Sequence, residues 1–408
     1  MNKYKMVRIA EFCSTGTGGT PSRGKMDRYF EGGTIPWVKS GELRENIIND
    51  TEEKVTELAL RETNVKLVPA GAILLAMYGA TVGRLAILGV QATTNQAVCH
   101  IIPDPKNTDI RYLFQALANQ VPTIIARGVG GAQPNISQGI VKDLVVPLPP
   151  LPDQKRIAAV LDKAEELRAK RRTALAELDT LSQAIFLEMF GDAGENPKNW
   201  PFQPVSAYVS EFQGGKSMES ESGEDVITRN RVLKISAVTG MKFRPTEAKP
   251  VPDCYEPPID HFARPGDLLF SRANTSELVG AVAYVDQTPT NLLLPDKLWR
   301  FIWRKPLQVE PLFVWSLFQT PFIRREISRR ATGTSGSMKN ISQEKVFGIR
   351  TILPPLPLQH EFARRVAVVE KLKTTHRAAL SELDLLFASL QHRAFRGELS
   401  SVQNDGAP

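Results

Sequence analysis

The stretch Asn135-Ile-Ser-Gln138, followed by Pro149-Pro-Leu-Pro-Asp-Gln154, decides the organisation of this chain because it occurs twice. The second copy, Asn340-Ile-Ser-Gln343 and Pro354-Pro-Leu-Pro-Leu-Gln359, lies 205 residues further along the sequence. The same offset continues without a gap as far as Asp384. A match of this length in one register indicates an internal duplication. The chain therefore alternates between variable segments and repeated, fixed segments, and we expect the serine of each copy to cap a short helix.

Each fixed segment has the pattern of one long helix. After the proline block, Asp153 can cap a helix that runs to Phe190, where Gly191 is a stop signal, and the second helix ends near Gly397. Apolar residues recur at heptad spacing along both segments. We expect the two helices to pack against each other, and the residues predicted to contact the other helix or a partner are Ile157, Leu167, Leu178 and Ile185 in the first helix and Val369, Leu372, Leu383 and Leu390 in the second.

The variable segments have a mixed α/β pattern, in which short apolar strands alternate with glycine-rich loops. Strands are predicted at Ala72–Ala76 and Leu268–Phe270, and helices at Ile110–Ala126 and Pro311–Arg330. The predicted divisions are two variable domains at 1–150 and 192–357, two long helices at 151–191 and 358–398, and a tail at 399–408.

Composition limits the setting in which this chain works. Its 408 residues are enough for two or three domains, and its net charge of +7 is compatible with a polyanionic partner without identifying one. Three widely spaced cysteines exclude a disulfide framework and a cysteine-rich zinc site, which favours a reducing, cytoplasmic setting. The segment Met1–Glu11 contains three basic residues and no apolar core, so we expect no signal peptide.

The most apolar stretch, Val68–Val90, is long enough to cross a bilayer. Its counterpart in the second half, Pro265–Val285, has a similar pattern but contains Asp267, Arg272 and Glu277. Four glycines in the first stretch, with Tyr78-Gly-Ala-Thr81 in its middle, predict two short strands around a turn. We therefore expect a buried hairpin in each half and no membrane span.

Several catalytic motifs match only in part. Gly19–Met26 has the spacing of a phosphate-binding loop but lacks the hydroxyl that holds magnesium, and Gly215-Lys-Ser217 has that hydroxyl but has Ser210 in place of the first glycine. Gly16–Gly19 resembles a glycine loop for S-adenosylmethionine, but no Asn/Asp-Pro-Pro-aromatic motif occurs. The five histidines lack metal-ligand spacing. We therefore expect no catalytic residue, no metal and no cofactor bound by this chain.

Binding chemistry is more prominent, because basic and amide side chains collect on the predicted loops. Arginine and asparagine read the edges of guanine and adenine, whereas lysine, serine and threonine suit phosphates. Arg272 is expected at the tip of the second hairpin. The predicted DNA-binding residues are Arg23, Lys25, Lys39, Ser40, Met77, Tyr78, Thr81, Arg84, Arg127 and Gln133 in the first half, and Lys216, Arg229, Arg231, Ser271, Arg272, Asn274, Thr275, Arg329, Arg330 and Lys339 in the second.

These features resemble the specificity (S) subunits of type I restriction–modification systems. The resemblance rests on Gly18-Gly-Thr-Pro-Ser-Arg23, Gly33-Thr-Ile-Pro-Trp37, the hairpins at 71–87 and 266–285, and the repeated block, and it covers essentially the whole chain. The second variable segment lacks the Thr-Pro-Ser-Arg stretch. The resemblance implies an α+β or mixed α/β fold with two duplicated target-recognition domains, separated by two long antiparallel helices that form a coiled coil.

The same resemblance implies a function without catalysis by this chain. Each recognition domain would read one half of a split site in double-stranded DNA. Two modification subunits would dock on the chain and bring S-adenosylmethionine to methylate an adenine flipped out of the duplex. Restriction subunits using ATP and magnesium would complete the nuclease complex.

The long helices also predict how the two half-sites are spaced. A helix of about 38 residues is about 57 Å long, and binding centres on one face of DNA recur every 34–36 Å or so. We therefore expect helix length to set the gap between the half-sites.

Two alternatives from other classes stay open at this point. A DNA methyltransferase or nuclease with an unrecognised site would bind S-adenosylmethionine or turn over DNA without partners. A coiled-coil scaffold that does not bind DNA would tolerate the loss of Arg272 or Asn274 without consequence.

Overall fold

The computed structural model describes residues 3–44, 46–128, 135–218, 228–335 and 338–399. Contacts between residues divide the chain into two units. The first comprises Met1–Arg172 together with Ala378–Pro408, and the second comprises Thr173–Arg377. Each unit thus combines one variable segment with one part of each long helix.

The first variable segment consists of short strands and helices that precede the first long helix. Its strands are β1 Met6–Arg8, β2 Cys13–Thr17, β3 Ile35–Val38, β4 Ile47–Ile48, β5 Lys54–Val55, β6 Leu67–Val68, β7 Ile73–Ala76, β8 Leu85–Leu88, β9 Ala92–Thr94, β10 Val98–Pro103 and β11 Val145–Pro147. Its helices are α1 Ile9–Phe12, α2 Met26–Tyr29, α3 Glu57–Glu62, α4 Ile110–Ala126 and α5 Gln138–Lys142, and the long helix α6 is Leu151–Phe190. One sheet has the strand order β2-β10-β7-β8-β4 and a second has the order β5-β3-β9-β6.

The second variable segment repeats this plan with a different set of edge strands. Its strands are β12 Phe202–Pro204, β13 Val209–Gly214, β14 Arg231–Leu233, β15 Ala248–Pro250, β16 Leu268–Ser271, β17 Ala273–Asn274, β18 Val282–Tyr284, β19 Leu292–Leu293, β20 Leu298–Trp303, β21 Thr332–Ser335, β22 Met338–Asn340 and β23 Arg350–Ile352. Its helices are α7 Ser236–Thr239, α8 Pro311–Gln319, α9 Pro321–Arg330 and α10 Gln343–Phe347, and the long helix α11 is Leu356–Arg396. The sheet that corresponds to the first one has the order β13-β20-β16-β18.

Both predicted hairpins are present and buried. Strand β7 pairs antiparallel with β8, and β16 pairs antiparallel with β18. The charge of Asp267 is accommodated because its carboxylate pairs with Arg300 at 2.8 Å, although burial raises the pKa of Asp267. Within the described residues, every helix is too short or too polar to span a bilayer.

The predicted helix Ile110–Ala126 is confirmed, whereas the predicted helix Pro311–Arg330 is wrong in its continuity. It consists of two helices, because Thr320 has an extended backbone and Pro321 begins the second one. A residue before proline is driven out of the helical region by contact with the proline ring.

The two long helices begin slightly earlier than predicted. Helix α6 starts at Leu151, so Asp153 lies in the first turn and does not cap the helix. Its carboxylate still lies near the positive end of the helix dipole. Helix α6 ends before Gly191 and α11 ends before Gly397, and both glycines have the positive φ angles, 81° and 78°, that terminate helices.

A buried glutamine fixes each long helix to its own variable segment. The side-chain oxygen of Gln154 accepts a hydrogen bond from the Asp109 amide at 2.8 Å, and its nitrogen donates to the carbonyls of Asn107 and Pro149, both at 2.9 Å. Since Asp109 caps α4, this glutamine connects the starts of α4 and α6.

Gln359 does the same in the second unit. Its side chain accepts from the Glu310 amide at 2.9 Å and donates to the Pro354 carbonyl at 2.7 Å. Glu310 is the residue that precedes α8. Gln359 therefore connects the starts of α8 and α11, as Gln154 connects the starts of α4 and α6.

The long helices run antiparallel within each unit. In the first unit, Arg168 contacts Asp384 and Arg156 contacts the carbonyl of Leu399. In the second unit, Asp179 contacts Lys373, and the rings of Phe186 and Phe362 lie 5.7 Å apart.

The apolar stripe accounts for only part of this packing. Of the predicted interface residues, Ile157 and Val369 are buried, whereas Leu167 and Leu372 are each 43% exposed and are not enclosed by the packing of the two helices. The remaining four are partly buried: Leu178, Ile185, Leu383 and Leu390.

Ion pairs between the two long helices are found where the apolar stripe is exposed. In the first unit, Arg168 binds Asp384 at 2.7 Å and also contacts Glu165. In the second unit, Lys373 binds Glu370 at 2.6 Å and Asp179 at 3.4 Å. Each of these residues is separated by 205 positions from its counterpart, so the polar cluster is duplicated together with the helices.

Candidate nucleic-acid interface

In the first unit, several loops meet at one end of the main sheet. Strand β2 ends at Thr17 and β7 ends at Ala76, whereas β10 begins at Val98 and β8 begins at Leu85. The pairing register places these four residues beside one another, because Thr17 faces Cys99, Ala76 faces Val98 and Leu85 faces Leu75. The loops that follow or precede them therefore share one edge of the sheet.

Hydrogen bonds connect these loops. The Thr20 hydroxyl donates to the side-chain oxygen of Gln96, and the Met77 amide donates to the Ala97 carbonyl at 2.8 Å. The short turn at residues 95–97 thus contacts both the glycine-rich loop and the hairpin loop. The three loops form one continuous surface.

The second unit has the same arrangement. Strands β13 and β16 end at Gly214 and Ser271, and β20 and β18 begin at Leu298 and Val282. The Ser217 hydroxyl donates to the carboxylate of Asp296, as Thr20 donates to Gln96. The Arg272 amide donates to the Lys297 carbonyl at 3.1 Å, as Met77 donates to Ala97.

Two glycines show that the glycine-rich loops correspond. A Cβ atom added to Gly18 would lie 1.9 Å from the carbonyl oxygen of Thr94, and one added to Gly215 would lie 1.9 Å from that of Leu294. Both loops therefore pass against a backbone at a distance that only glycine permits. The loops are equivalent even though the second lacks the Thr-Pro-Ser-Arg stretch.

Many of the predicted DNA-binding residues lie on these loops with side chains that are exposed or half-buried. Their role in binding DNA stays a prediction. They are Lys25, Tyr78, Thr81 and Arg84 in the first unit, and Lys216, Arg272, Asn274 and Thr275 in the second.

Two predicted contacts are wrong because their side chains face the interior. Met77 and Ser271 are both fully buried. Met77 packs into the core of the first unit, and the Ser271 hydroxyl donates to the carbonyl of Ala273 at 3.3 Å. Every residue of β7 and β16 is buried, and in the first unit the burial continues to Met77, the residue that follows β7.

Two of the basic residues predicted to bind DNA form ion pairs within the protein. Arg23 pairs with Glu53 at 2.5 Å, and Lys39 pairs with Glu53 at 2.9 Å and with Glu52 at 3.0 Å. The hydrogen bond from Arg23, together with the one from Lys39, lowers the pKa of Glu53 to about 2. Ser40 follows Lys39 at the start of a short 3-10 turn.

In the second unit, the segment that follows α9 reaches the hairpin loop. Strand β22 lies between β17 and β21, and Lys339 pairs in register with Asn274. The Lys339 ammonium donates to the Gly333 carbonyl at 2.8 Å. The structure therefore brings together two residues that lie far apart in sequence.

Most of the other basic residues predicted to bind DNA in the second unit form ion pairs or hydrogen bonds within the protein. Arg329 and Arg330 pair with Glu326 at 3.0 Å and 2.8 Å. Arg231 donates to the Ala248 carbonyl at 2.7 Å, and Arg229 is exposed.

Two further predictions concern the end of α4 in the first unit. Arg127 is exposed just after this helix. Gln133 lies outside the described residues.

Arg272 does not lie at the hairpin tip, which corrects the prediction of its place. It stands between β16 and β17, and its guanidinium carbon lies 5.6 Å from the centre of the Trp299 ring. Trp299 in turn stacks on Phe270, with the two rings inclined by 12°. The Nε atom of Arg272 is buried without a hydrogen-bond partner in the described residues. The aromatic rings therefore support the guanidinium from one side.

Sequence reasoning missed Arg44. It lines a surface cleft of about 550 Å³ together with Leu43, Arg84 and Leu85. Two arginines in one cleft are suited to contact a phosphate backbone. No sequence signal marked Arg44, because strand β4, which follows it, joins the sheet next to β8 only through the tertiary fold.

Known proteins share both sequence and fold with this chain. Residues 1–178 match the family described as the type I restriction modification DNA specificity domain. The EcoKI specificity subunit of Escherichia coli (strain K12) is 29% identical over 280 residues, which span 64% of this chain and 59% of that protein. The EcoR124I/EcoR124II specificity subunit of Escherichia coli is 28% identical over 155 residues, spanning 37% of this chain and 38% of that protein. The chain thus covers less than two thirds of the length of these relatives.

Other similarities extend over nearly the whole chain. The MjaVIII specificity subunit of Methanocaldococcus jannaschii is 21% identical over 413 residues, which span 97% of this chain and 93% of that protein. The crystal structure of a type I S subunit from M. genitalium superimposes with a TM-score of 0.60 at 13% identity, covering 97% of this chain and 96% of the other. At this identity the structural match describes the fold.

Proposed function

We infer that this chain belongs to the specificity subunits of type I restriction–modification systems and that it is the sequence-specific DNA-binding subunit of such a complex. Each unit reads one half of a split site. The inference agrees with the duplicated sequence, with the family match of the first 178 residues and with the fold shared over 97% of the chain. The chain selects the DNA sequence, and the covalent chemistry belongs to other subunits.

The observation that carries this proposal is the repeated loop surface at the end of each main sheet. Both copies place a tightly packed glycine loop, a hairpin loop and a short turn side by side. In both, a hydroxyl hydrogen bond links the glycine loop to the turn, and a backbone hydrogen bond links the hairpin loop to the turn. The sheet is a rigid support, and loops on a rigid support are the usual place for recognition residues. Exposed side chains such as Arg84 and Lys216 supply the donors that base edges and phosphates require.

Arg272 is the strongest candidate for reading a base. Its backbone is fixed by hydrogen bonds to the backbones of Lys297 and Ile341, at 3.1 Å and 3.0 Å, and its guanidinium rests against Trp299. A guanidinium fixed in this way can present two parallel donors to a guanine. The first unit has Met77 at the equivalent position, so the two units differ in what they can read there.

This difference supplies the test. Arg272→Met keeps a long side chain against Trp299 but removes the donors. We expect it to reduce discrimination at one base position of one half-site by about 1–3 kcal/mol. Methylation of a library of half-site variants, by the chain together with its modification partner, measures this change. Loss of activity that is equal for all sequences would assign Arg272 to a phosphate contact instead.

The long helices are proposed to bind two modification subunits, one per unit. The support is a pair of exposed leucines that is repeated at an offset of 205 residues. Leu167 and Leu386 are 43% and 50% exposed in the first unit, and Leu372 and Leu181 are 43% and 39% exposed in the second. Exposed apolar residues on a helix are suited to contact a partner protein. Native mass spectrometry of Leu372→Glu should show loss of one modification subunit, whereas unchanged stoichiometry would exclude this face.

We propose that the cofactors bind to the partner subunits. S-adenosylmethionine would bind to the modification subunits, and ATP with magnesium would bind to restriction subunits, in the cytoplasm where the DNA lies. Calorimetry of the purified chain with S-adenosylmethionine should therefore give no heat of binding. Measurable binding would favour the alternative in which this chain is itself a methyltransferase.

We propose further that the long helices set the gap between the two half-sites. Helices α6 and α11 are continuous over 40 and 41 residues. Adding residues within 160–180, with the matching addition in α11, should change the unspecified gap and leave both half-sites intact. A gap that stays the same would exclude this role.

A further inference from the structure

The hairpin loop of the second unit is held by helix α9. The Nη2 atom of Arg324 donates to the carbonyl of Glu277 at 2.6 Å, and the Ser328 hydroxyl donates to the carbonyl of Ser276 at 3.4 Å. The loop is closed at its far end, because the Gly280 amide donates to the Ser271 carbonyl at 2.7 Å. Two consecutive carbonyls of the loop are therefore fixed by one face of α9.

Arg324 makes this contact at a cost in free energy. Its Nη1 atom is buried and has no hydrogen-bond partner among the described residues. Burial lowers the pKa of the Arg324 guanidinium, because the charged form loses contact with water. A methionine or leucine at this position would avoid that cost, so stability of the fold does not explain the arginine.

The first unit supports its hairpin loop in a different way. There, Gly83 lies against the apolar side chains of Val121 and Ile125 on α4. The equivalent Gly280 lies against Ile327 and Arg324 on α9. One loop is thus supported by apolar contacts that permit small shifts, and the other by directional hydrogen bonds to its backbone.

We propose that Arg324 is a positioning residue for sequence recognition in the second unit: it fixes the backbone at Ser276 and Glu277 and thereby the orientation of Asn274 and Thr275, which precede them in the loop. The proposal rests on the proposed function, since it assigns a role within the DNA-reading surface. It predicts that Arg324 determines how sharply bases are discriminated rather than how tightly DNA is held.

The test compares three variants of the full chain in complex with its modification partner. Arg324→Met removes the hydrogen bond and the buried charge while keeping a long side chain. Arg324→Lys keeps the charge and one donor. Arg325→Met removes an exposed charge from the next position of the same helix and is the matched control. Methylation rates are measured on the cognate site and on single-base variants of each half-site.

We expect Arg324→Met to reduce discrimination in the half-site of the second unit by roughly tenfold, with the other half-site unchanged. Arg324→Lys should restore part of that discrimination, and Arg325→Met should leave it intact. Equal discrimination by Arg324→Met and the wild type would overturn the proposal, and so would a uniform loss across all sequences, which indicates a phosphate contact. If Arg324→Met does not fold, Arg324→Lys and Ser328→Ala decide the question by the same readout.

Failure of the proposed function has a different outcome. In that case the wild-type complex itself would not distinguish the cognate site from its single-base variants. Discrimination by the wild type that is unaffected in every Arg324 variant would contradict only the role of Arg324.

Discussion

Replacing Gln154 by leucine should destabilise the first unit by about 3 kcal/mol. The side chain is fully buried, and its amide makes three hydrogen bonds at 2.8–2.9 Å, which contribute roughly 1 kcal/mol each. Leucine has a similar size but leaves the Asp109 amide and two carbonyls without these partners. The equivalent Gln359→Leu, with hydrogen bonds to Glu310 and Pro354, should destabilise the second unit by about 2 kcal/mol.

Urea denaturation measures the loss of stability in each variant, and hydrogen exchange of the folded protein shows which unit is affected. In Gln154→Leu, the start of α4 around Asp109 should exchange faster, whereas the start of α8 should keep its protection. Gln359→Leu should give the opposite pattern. The control is Lys155→Leu, which changes an exposed residue one position further along the same helix. It should alter the free energy of unfolding by less than about 0.5 kcal/mol. If Gln154→Leu is no less stable than this control, the repeated glutamine does not fix the helices to their domains.

Three further predictions concern single positions. Ser182→Phe should stabilise the second unit by on the order of 1–3 kcal/mol, because Ser182 lines a cavity of about 210 Å³ that a larger apolar side chain can fill. The equivalent position in the other copy, 205 residues later, is already a phenylalanine, Phe387. A lower melting temperature of the variant would refute this prediction. The ionised form of Glu53 should stabilise the protein at neutral pH, and this contribution should disappear as the pH falls from 4.5 to about 2, so the stability difference between wild type and Glu53→Gln should vanish over that range. Gly215→Ala should cost roughly 1–3 kcal/mol and weaken DNA binding, since its Cβ atom would lie 1.9 Å from a carbonyl oxygen; unchanged stability and affinity would contradict the tight packing of this loop.

The sequence predicted the features that depend on local pattern. The offset of 205 residues identified the duplication, and the heptad spacing identified both long helices and their packing against each other. The serines at 137 and 342 cap short helices as expected, because each hydroxyl accepts a hydrogen bond from the backbone amide three residues later. The hairpins were also predictable, since glycines at their turns interrupt the apolar runs.

Features that depend on tertiary contacts were not predictable in the same way. The sequence did not show that Met77 is buried, because the residue that follows a core strand can either enter the exposed loop or pack into the core. The repeated glutamines were visible, but their role required knowledge of the amide groups that they meet. The equivalence of Gly18 and Gly215 was hidden because their offset of 197 residues differs from the offset of 205. The pairing of Arg23 and Lys39 with Glu53 required the strands that bring these residues together.

A methylation map of cellular DNA, made with this chain present and with it deleted while the neighbouring subunits are kept, tests whether the chain selects the DNA sequence. We expect N6-methyladenine to disappear from one split motif with a fixed gap when the chain is deleted. Restoring the chain with Arg272→Met should bring the mark back with relaxed sequence at one position of one half-site. Methylation that is the same with and without the chain would contradict the claim that it selects the DNA sequence.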